Sequence, residues 1–170
     1  VDTLIQFDSE RVVAYVKNKA ISAGALIALA CGSLYMREGT TIGDCAPITY
    51  SNEGPKMLGE KFQSPLRAKF RSLAKRNGFP QTLAESMVSE EMIVYRLDFG
   101  DSTAYVDSLA YADMTEQGRE SVERRRTIVA RGELLTMDNV EAQELGFSQA
   151  TVSSVEDLPS VLNIAQASIE

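Results

Sequence analysis

The sequence predicts an α/β domain, and three observations predict it. Short runs rich in Val, Ile, Leu and Tyr, at residues 12–16, 34–36 and 41–43, have the composition of buried strands. Longer runs with helical apolar spacing separate or follow them, at 23–31 and 66–77. The chain has 170 residues, 44% hydrophobic and 24% charged, which suits one domain with its own core.

Residues 1–11 carry a short amphipathic pattern with Val1, Leu4 and Ile5 on one side, and lead directly into the strand at 12–16. Nothing upstream is available to pair with that strand, and a parallel sheet needs several. The first part of the domain is therefore expected to be missing. Small residues at Ala20, Ser22, Ala23 and Gly24 predict a tight turn into a closely packed helix, ended by Gly32-Ser33. A buried strand at 34–36, a turn at 37–40 and an extended piece at 41–43 follow. Residues 51–59, rich in Gly, Pro and polar side chains, predict a mobile loop.

Ser64-Pro65 is an N-cap and first-turn pair. Leu66, Phe70, Leu73 and Ala74 then recur at helical spacing until Asn77-Gly78. An extra turn over 57–62 would be kinked, because Pro65 leaves the Lys61 carbonyl without its helical partner. A shorter helix is expected at 81–88, and a hairpin pairs 92–99 with 103–106 around Gly100-Asp101. The polar stretch 115–126 predicts a helix, 127–130 a strand, and 138–145 a helix ending at Gly146. From Val155 onward the apolar spacing is again helical.

The formal net charge of −7 disfavours a nucleic-acid surface. Basic residues do cluster, at Arg67, Lys69, Arg71, Lys75 and Arg76 and at Arg124, Arg125 and Arg126; both runs read as solvated helix faces. There is no histidine, which excludes Ser–His–Asp and Cys–His mechanisms and histidine-ligated metals within the chain. Proton transfer must then fall to lysine, a carboxylate, tyrosine or cysteine. Cys31 and Cys45 have neither metal nor redox spacing, and no cofactor is expected. Cys31 reads as a buried inert thiol, and nothing supports a disulfide. No signal peptide is visible at the start. The longest uncharged stretch, 20–36, is short for a membrane span and fits a core helix followed by a strand, so the chain reads as soluble.

Ser22 sits where an apolar helix begins, beside unpaired N–H groups and the positive end of the helix dipole. That place suits a nucleophile whose attack creates an oxyanion, with the N–H of Ala23 as donor. It equally suits a serine that only caps the helix. Lys61 follows the predicted loop. A lysine acts as a base when burial lowers its pKa, and Met57, Leu58 and Phe62 are apolar neighbours for such a pocket. It equally suits an ordinary surface lysine.

The segment Ala20-Ile21-Ser22-Ala23-Gly24-Ala25-Leu26-Ile27-Ala28-Leu29-Ala30 resembles the nucleophile segment of NfeD-type membrane-bound serine proteases. Met36-Arg37-Glu38-Gly39-Thr40-Thr41-Ile42-Gly43 is similar to the strand and turn that follow it, with Arg37-Glu38 where alanine and proline are commoner. Phe70-Arg71-Ser72-Leu73-Ala74 with Asn77-Gly78 resembles the helix after the catalytic lysine, and counting back along it reaches Lys61, with Lys56 the nearest competitor. Gly132-Glu133-Leu134-Leu135-Thr136 with residues 141–147 resembles the closing motif. The resemblance covers about residues 12–147, and 90–126 is its least typical part.

This resemblance implies a Clp protease/crotonase-like fold, a β-α superhelix, with a protease domain over 1–150, an insertion at about 90–126 and a helical tail over 151–170. It implies a serine endopeptidase with Ser22 as nucleophile, Lys61 as general base and the Ala23 N–H in the oxyanion hole. The substrates implied are apolar segments of membrane-associated polypeptides, including stomatin-like partners. The alternative is a catalytically silent assembly domain of the same fold. A crotonase-type acyl-coenzyme A enzyme is a further rival. The family carries an Asp-Thr-Pro-Gly-Gly segment that supplies the second oxyanion donor, and this chain is expected to begin just after it. A homo-oligomer, at least a dimer, and an extracytoplasmic soluble domain of a membrane-anchored protein complete what the resemblance implies.

Overall fold

A computed structural model of the chain describes residues 1–52 and 54–164. Two short 3-10 turns, Leu4–Gln6 and Ser9–Arg11, precede the first strand. Strand β1 (Val13–Val16) pairs in parallel with β3 (Ser33–Met36), which also pairs in parallel with β11 (Ala150–Thr151). The first strand therefore has its partner downstream. Strand β2 (Lys19–Ile21) runs parallel to β4 (Thr41–Gly43), and β10 (Thr136–Asp138) closes that sheet antiparallel to β4.

Helix α1 (Ala23–Ala30) is the inner helix, with Ala25, Ala28, Leu29 and Ala30 buried. A helix that is apolar all round belongs inside. Its core partners come from β3 and β4, through Leu34, Met36 and Ile42, and from α2 (Glu60–Asn77), through Phe70, Leu73 and Ala74. Helix α3 (Gln81–Ser86) adds Leu83 and Ala84 to the same core.

Helix α2 starts earlier than Ser64-Pro65 predicts. Its N-cap is Gly59, and Pro65 lies inside. The extra turn is held by the Phe62 N–H on the Gly59 carbonyl, 2.9 Å, and by buried Gln63, whose amide donates to the Leu58 carbonyl at 2.8 Å. The expected mobile loop at 51–59 is largely a hairpin instead. Strands β5 (Ile48–Ser51) and β6 (Gly54–Met57) pair antiparallel, with every residue of β5 exposed.

The third sheet has the order β8-β7-β9, from β7 (Val94–Phe99), β8 (Ser102–Asp107) and β9 (Arg124–Val129). The predicted helix over 115–126 is corrected by it. Helices α4 (Ser108–Ala112) and α5 (Glu116–Glu120) are short, and Arg124, Arg125 and Arg126 lie on a strand. Tyr95 of β7 and Tyr111 of α4 each place a ring 5.0 Å from the Arg125 guanidinium, which offsets the poor fit of an arginine run to a sheet. Helix α6 (Asn139–Glu144) begins with a capping box between Asp138 and Glu141. Past β11 come a 3-10 turn, Val155–Asp157, and α7 (Leu158–Val161). The tail's expected helical spacing beyond residue 164 lies outside the described residues.

Candidate functional site

Ser22 joins β2 to α1 and has φ 55° and ψ −117°. Few residues with a Cβ occupy that region, and such strain survives only where the surroundings impose it. Here they do. The Ser22 N–H is shared between the carbonyls of Gly43, 3.2 Å, and Asp44, 3.1 Å, while its own carbonyl accepts from Ala25 and Leu26 at 3.1 and 3.3 Å. Asp44, also at positive φ (47°), donates its N–H to the Leu135 carbonyl at 3.1 Å. Gly43 cannot be replaced without displacement, since a Cβ there would stand 2.2 Å from the Leu135 carbonyl oxygen. Strands β4 and β10 thus brace the serine turn from behind.

Although Ser22 holds the N-cap position, its side chain makes no capping hydrogen bond. It is exposed, and it opens on a hollow of about 170 Å³ lined by Ser22, Ala23, Leu26, Cys45, Leu66 and Phe70. The hollow is mainly apolar. The Ala23 N–H belongs to the first turn of α1, where backbone donors have no intrahelical acceptor. Small residues, Ala20 and Gly24, stand two positions either side of Ser22, and a Cβ on Gly24 would make only ordinary contact with the Ala20 methyl, at 3.6 Å. This small-x-Ser-x-Gly spacing is the geometry of a nucleophile elbow, with alanine at the first small position.

Cys45, on the floor of the hollow, is a different kind of group. Its thiol lies 3.2 Å from the Gly43 carbonyl and 3.6 Å from the Ser22 carbonyl. Burial, with the neighbouring Asp44 carboxylate, pushes its pKa up to about 12. It is a protonated donor that tightens the serine turn, and no nucleophile. Cys31 and Cys45 are both free and buried.

Lys61 lies in the first turn of α2, is exposed, and does not line the hollow. It precedes Phe70 by nine residues, two and a half turns at 3.6 residues per turn, so it stands on the opposite side of the helix. Lys56 is exposed on β6. The apolar neighbours Met57, Leu58 and Phe62 do not enclose Lys61. A larger hollow of about 680 Å³, with Leu58, Gln63, Glu85, Ser89, Met92 and Arg131 in its wall, shares no residue with the one at Ser22.

The brace formed by Gly43, Asp44 and Leu135, and the role of Cys45, are not evident from sequence. A glycine closing a strand and followed by a polar residue is the one available signal for the first of them. Among the described residues no group of three or more Cys, Asp or Glu is placed to hold a metal, and no helix is long and apolar enough to cross a membrane.

Comparison with solved structures gives the same mixed α/β fold. The 1510-N membrane-bound stomatin-specific protease, in a form with one serine changed to alanine, is 21% identical with a TM-score of 0.61, over 94% of this chain and 60% of that one. A form with one lysine changed to alanine, in complex with a substrate peptide, is 21% identical with a TM-score of 0.60, over 94% and 58%. A third, the 1510-N membrane protease specific for a stomatin homolog from Pyrococcus horikoshii, is 18% identical with a TM-score of 0.49, over 92% and 52%. The chain spans about 60% of the length of the first of these. No curated protein matches the sequence. The NfeD1b N-terminal domain model matches residues 1–105, and the chain belongs to the NfeD1b family.

Proposed function

We propose that the chain is a serine-protease domain of Clp-like, crotonase-type fold, in which Ser22 attacks a peptide carbonyl. One observation carries this reading: the Ser22 hydroxyl, on a strained residue at a helix start, caps nothing and opens on an apolar hollow. Lys61 is the proposed general base. It takes the Ser22 proton, passes it to the leaving amine, and then activates the water that releases the acyl group. The Ala23 N–H donates to the oxyanion.

Lys61 stands outside the hollow in this conformation, so the reading requires the first turn of α2 to rearrange on substrate binding. Pro65 makes that turn easy to move, because it has no N–H for the Lys61 carbonyl. The apolar walls given by Leu26, Leu66 and Phe70 suit an apolar polypeptide segment, and the name of the 1510-N relatives suggests a stomatin-like membrane protein as its source. In this reading the protease domain occupies 1–150 with an insertion at about 90–126, and 151–170 form a helical tail. The domain is the soluble, extracytoplasmic part of a membrane-anchored protein and assembles at least as a dimer.

A fluorophosphonate probe tests it. Mass spectrometry is expected to place the adduct on Ser22, Ser22→Ala to abolish it, and Lys61→Ala to slow labelling by about 100-fold or more. An adduct elsewhere removes Ser22 as nucleophile. An unchanged rate in Lys61→Ala removes Lys61 as base and turns attention to Lys56. The position of Lys61 favours one second reading, a catalytically silent domain used for assembly, which predicts no adduct on Ser22.

A further inference from the structure

The larger hollow, about 680 Å³, has the size of a small-molecule site and shares no residue with the one at Ser22. Its wall comes from the end of β6 with the first two turns of α2, from the segment that follows α3, and from the start of α4. Leu58, Met92, Ile93 and Leu109 make part of that wall apolar.

The segment after α3 is fixed from several sides. Met87 and Val88 are fully buried. The carbonyls of Ser86, Met87 and Glu90 accept from the N–H groups of Leu135, Cys45 and Gly132 at 3.1, 2.7 and 2.7 Å. Ser89 is carried inward with them, to 4% exposure, and lines the hollow. Its hydroxyl has no hydrogen-bond partner among the described residues. Gln63, 9% exposed, lines the same hollow from α2. Its amide nitrogen is committed to the Leu58 carbonyl at 2.8 Å, and an oxygen in that place would face another acceptor, so the amide can point only one way. This leaves Gln63 Oε1 as an acceptor without a partner among the described residues. Folded proteins rarely leave buried polar atoms unmatched, and two in one cavity wall mark a place for a hydrogen-bonding ligand.

Charge narrows what that ligand is. Glu60 is held by Arg67 and Glu85 by Arg71, each through two hydrogen bonds. Glu91 lies 3.9 Å from Arg131. Glu90, and Asp107 at the cap of α4, have no ion-pair partner among the described residues, and no lysine stands in the wall. The surplus of carboxylates favours a cation. A guanidinium seeks a free carboxylate fork, and the forks of Glu60 and Glu85 are already filled by arginines. A compact ammonium needs only separate acceptors, which Gln63 Oε1 and the Ser89 hydroxyl oxygen supply. We propose that this hollow binds a primary ammonium group carried on an aliphatic chain. The ammonium donates to Gln63 and Ser89, and the chain lies on Leu58, Met92 and Ile93. A free alkylamine and the lysine side chain of a polypeptide share this chemistry. The site does not depend on catalysis by Ser22.

Titration of the whole chain with pentylamine, followed by NMR of the Met57 and Met92 methyl groups in the wall, tests the proposal. Pentylamine is expected to give saturable shifts, and pentanol, equal in length but neutral, to bind at least about tenfold more weakly. Ser89→Ala removes a hydroxyl that has no partner in the free protein, so unfolding in urea is expected to be no easier, while affinity for pentylamine falls about tenfold. Glu90→Gln is expected to weaken binding and to flatten its dependence on salt. An apolar peptide with one lysine that outcompetes pentylamine, and loses the advantage when norleucine replaces the lysine, upholds the site and assigns it to polypeptides. Tighter binding of cadaverine than of either upholds it and assigns it to free amines. The proposal is overturned if pentanol binds as tightly as pentylamine, if no amine gives a saturable shift, or if Ser89→Ala and Glu90→Gln both leave the affinity unchanged.

Discussion

At Ser22 the chain holds a conformation that costs energy. A non-glycine residue at φ 55°, ψ −117° is strained by about 1–3 kcal/mol. Glycine has no such penalty there, and its larger unfolded-state entropy removes only about 0.5–1 kcal/mol of the gain. Ser22→Gly is therefore expected to stabilise the fold, on the order of 1 kcal/mol in urea unfolding, while Ser22→Ala leaves the strain in place. In the reading proposed above, that strain is the cost of placing a hydroxyl at this turn. Cys45 gives a second prediction. Its folded pKa of about 12 lies above its ordinary 9.0. Below pH 9 both states keep the proton and the contribution to stability is complete. Between pH 9 and 12 the unfolded chain loses the proton first, so stability falls as pH rises. Cys45→Ala should flatten that alkaline decline in a series of chemical denaturation curves, relative to the unaltered chain. The shift at Cys31 has the same direction and remains in both proteins.

At the scale of elements, what is legible in the sequence depends on whether local signals point the same way. Helix α1 and the strands at 34–36 and 41–43 are legible because apolar runs, small residues and glycine stops all agree. Helix α6 is legible too, since Asp138 and Glu141 spell a capping box and Gly146 adopts φ 84°. Asp138→Ala should cost about 0.5–2 kcal/mol by thermal or urea unfolding. The start of α2 misleads because Pro65 has the preference of a first-turn residue. What overrides it is a contact five residues long that propensity does not register: Gln63, buried, ties the turn to the Leu58 carbonyl. β9 misleads because three arginines conceal the alternation of a strand, and the two tyrosine rings that hold Arg125 come from elsewhere in the chain. Pro65 also separates stability from the proposed motion. Pro65→Ala restores a donor for the Lys61 carbonyl and is expected to stabilise α2 by up to about 3 kcal/mol. If the first turn must move for Lys61 to reach Ser22, the same substitution slows fluorophosphonate labelling even though the protein is more stable. Faster or unchanged labelling removes the rearrangement.

At the scale of the whole molecule, the serine turn is braced by the segments around β4 and β10, and the N-terminal segment packs against the same core as the helix that follows the turn. Leu4 and Ile5, with Val1, pack against the same core as α1. Arg76 at the end of α2 donates to the Phe7 carbonyl at 2.6 Å, and Asn77 to the Leu29 carbonyl at 2.8 Å. Lys69 pairs with Asp2 at 3.2 Å. The closest approach is at Gly32, between α1 and β3, where an added Cβ would stand 1.8 Å from the Ser9 carbonyl oxygen. No side chain fits between two backbones at that distance, so Gly32→Ala must push residues 1–11 away from the core. The Gly32 N–H bond to the Val12 carbonyl, 2.9 Å, lies at the same junction and should be lost with it. Amide exchange by mass spectrometry is expected to show early loss of protection over residues 4–12 in Gly32→Ala, with β7, β8 and β9 unchanged because their sheet is built from residues 94–129. If the Ser22 turn depends only on its local brace of Gly43, Asp44 and Leu135, its labelling rate stays as it was. If the rate falls together with the protection of 4–12, the N-terminal segment belongs to the apparatus that positions the serine. The sequence pattern Val1, Leu4, Ile5 shows an amphipathic turn; that its backbone is pressed against a glycine after α1 is a fact of packing, which no local pattern carries.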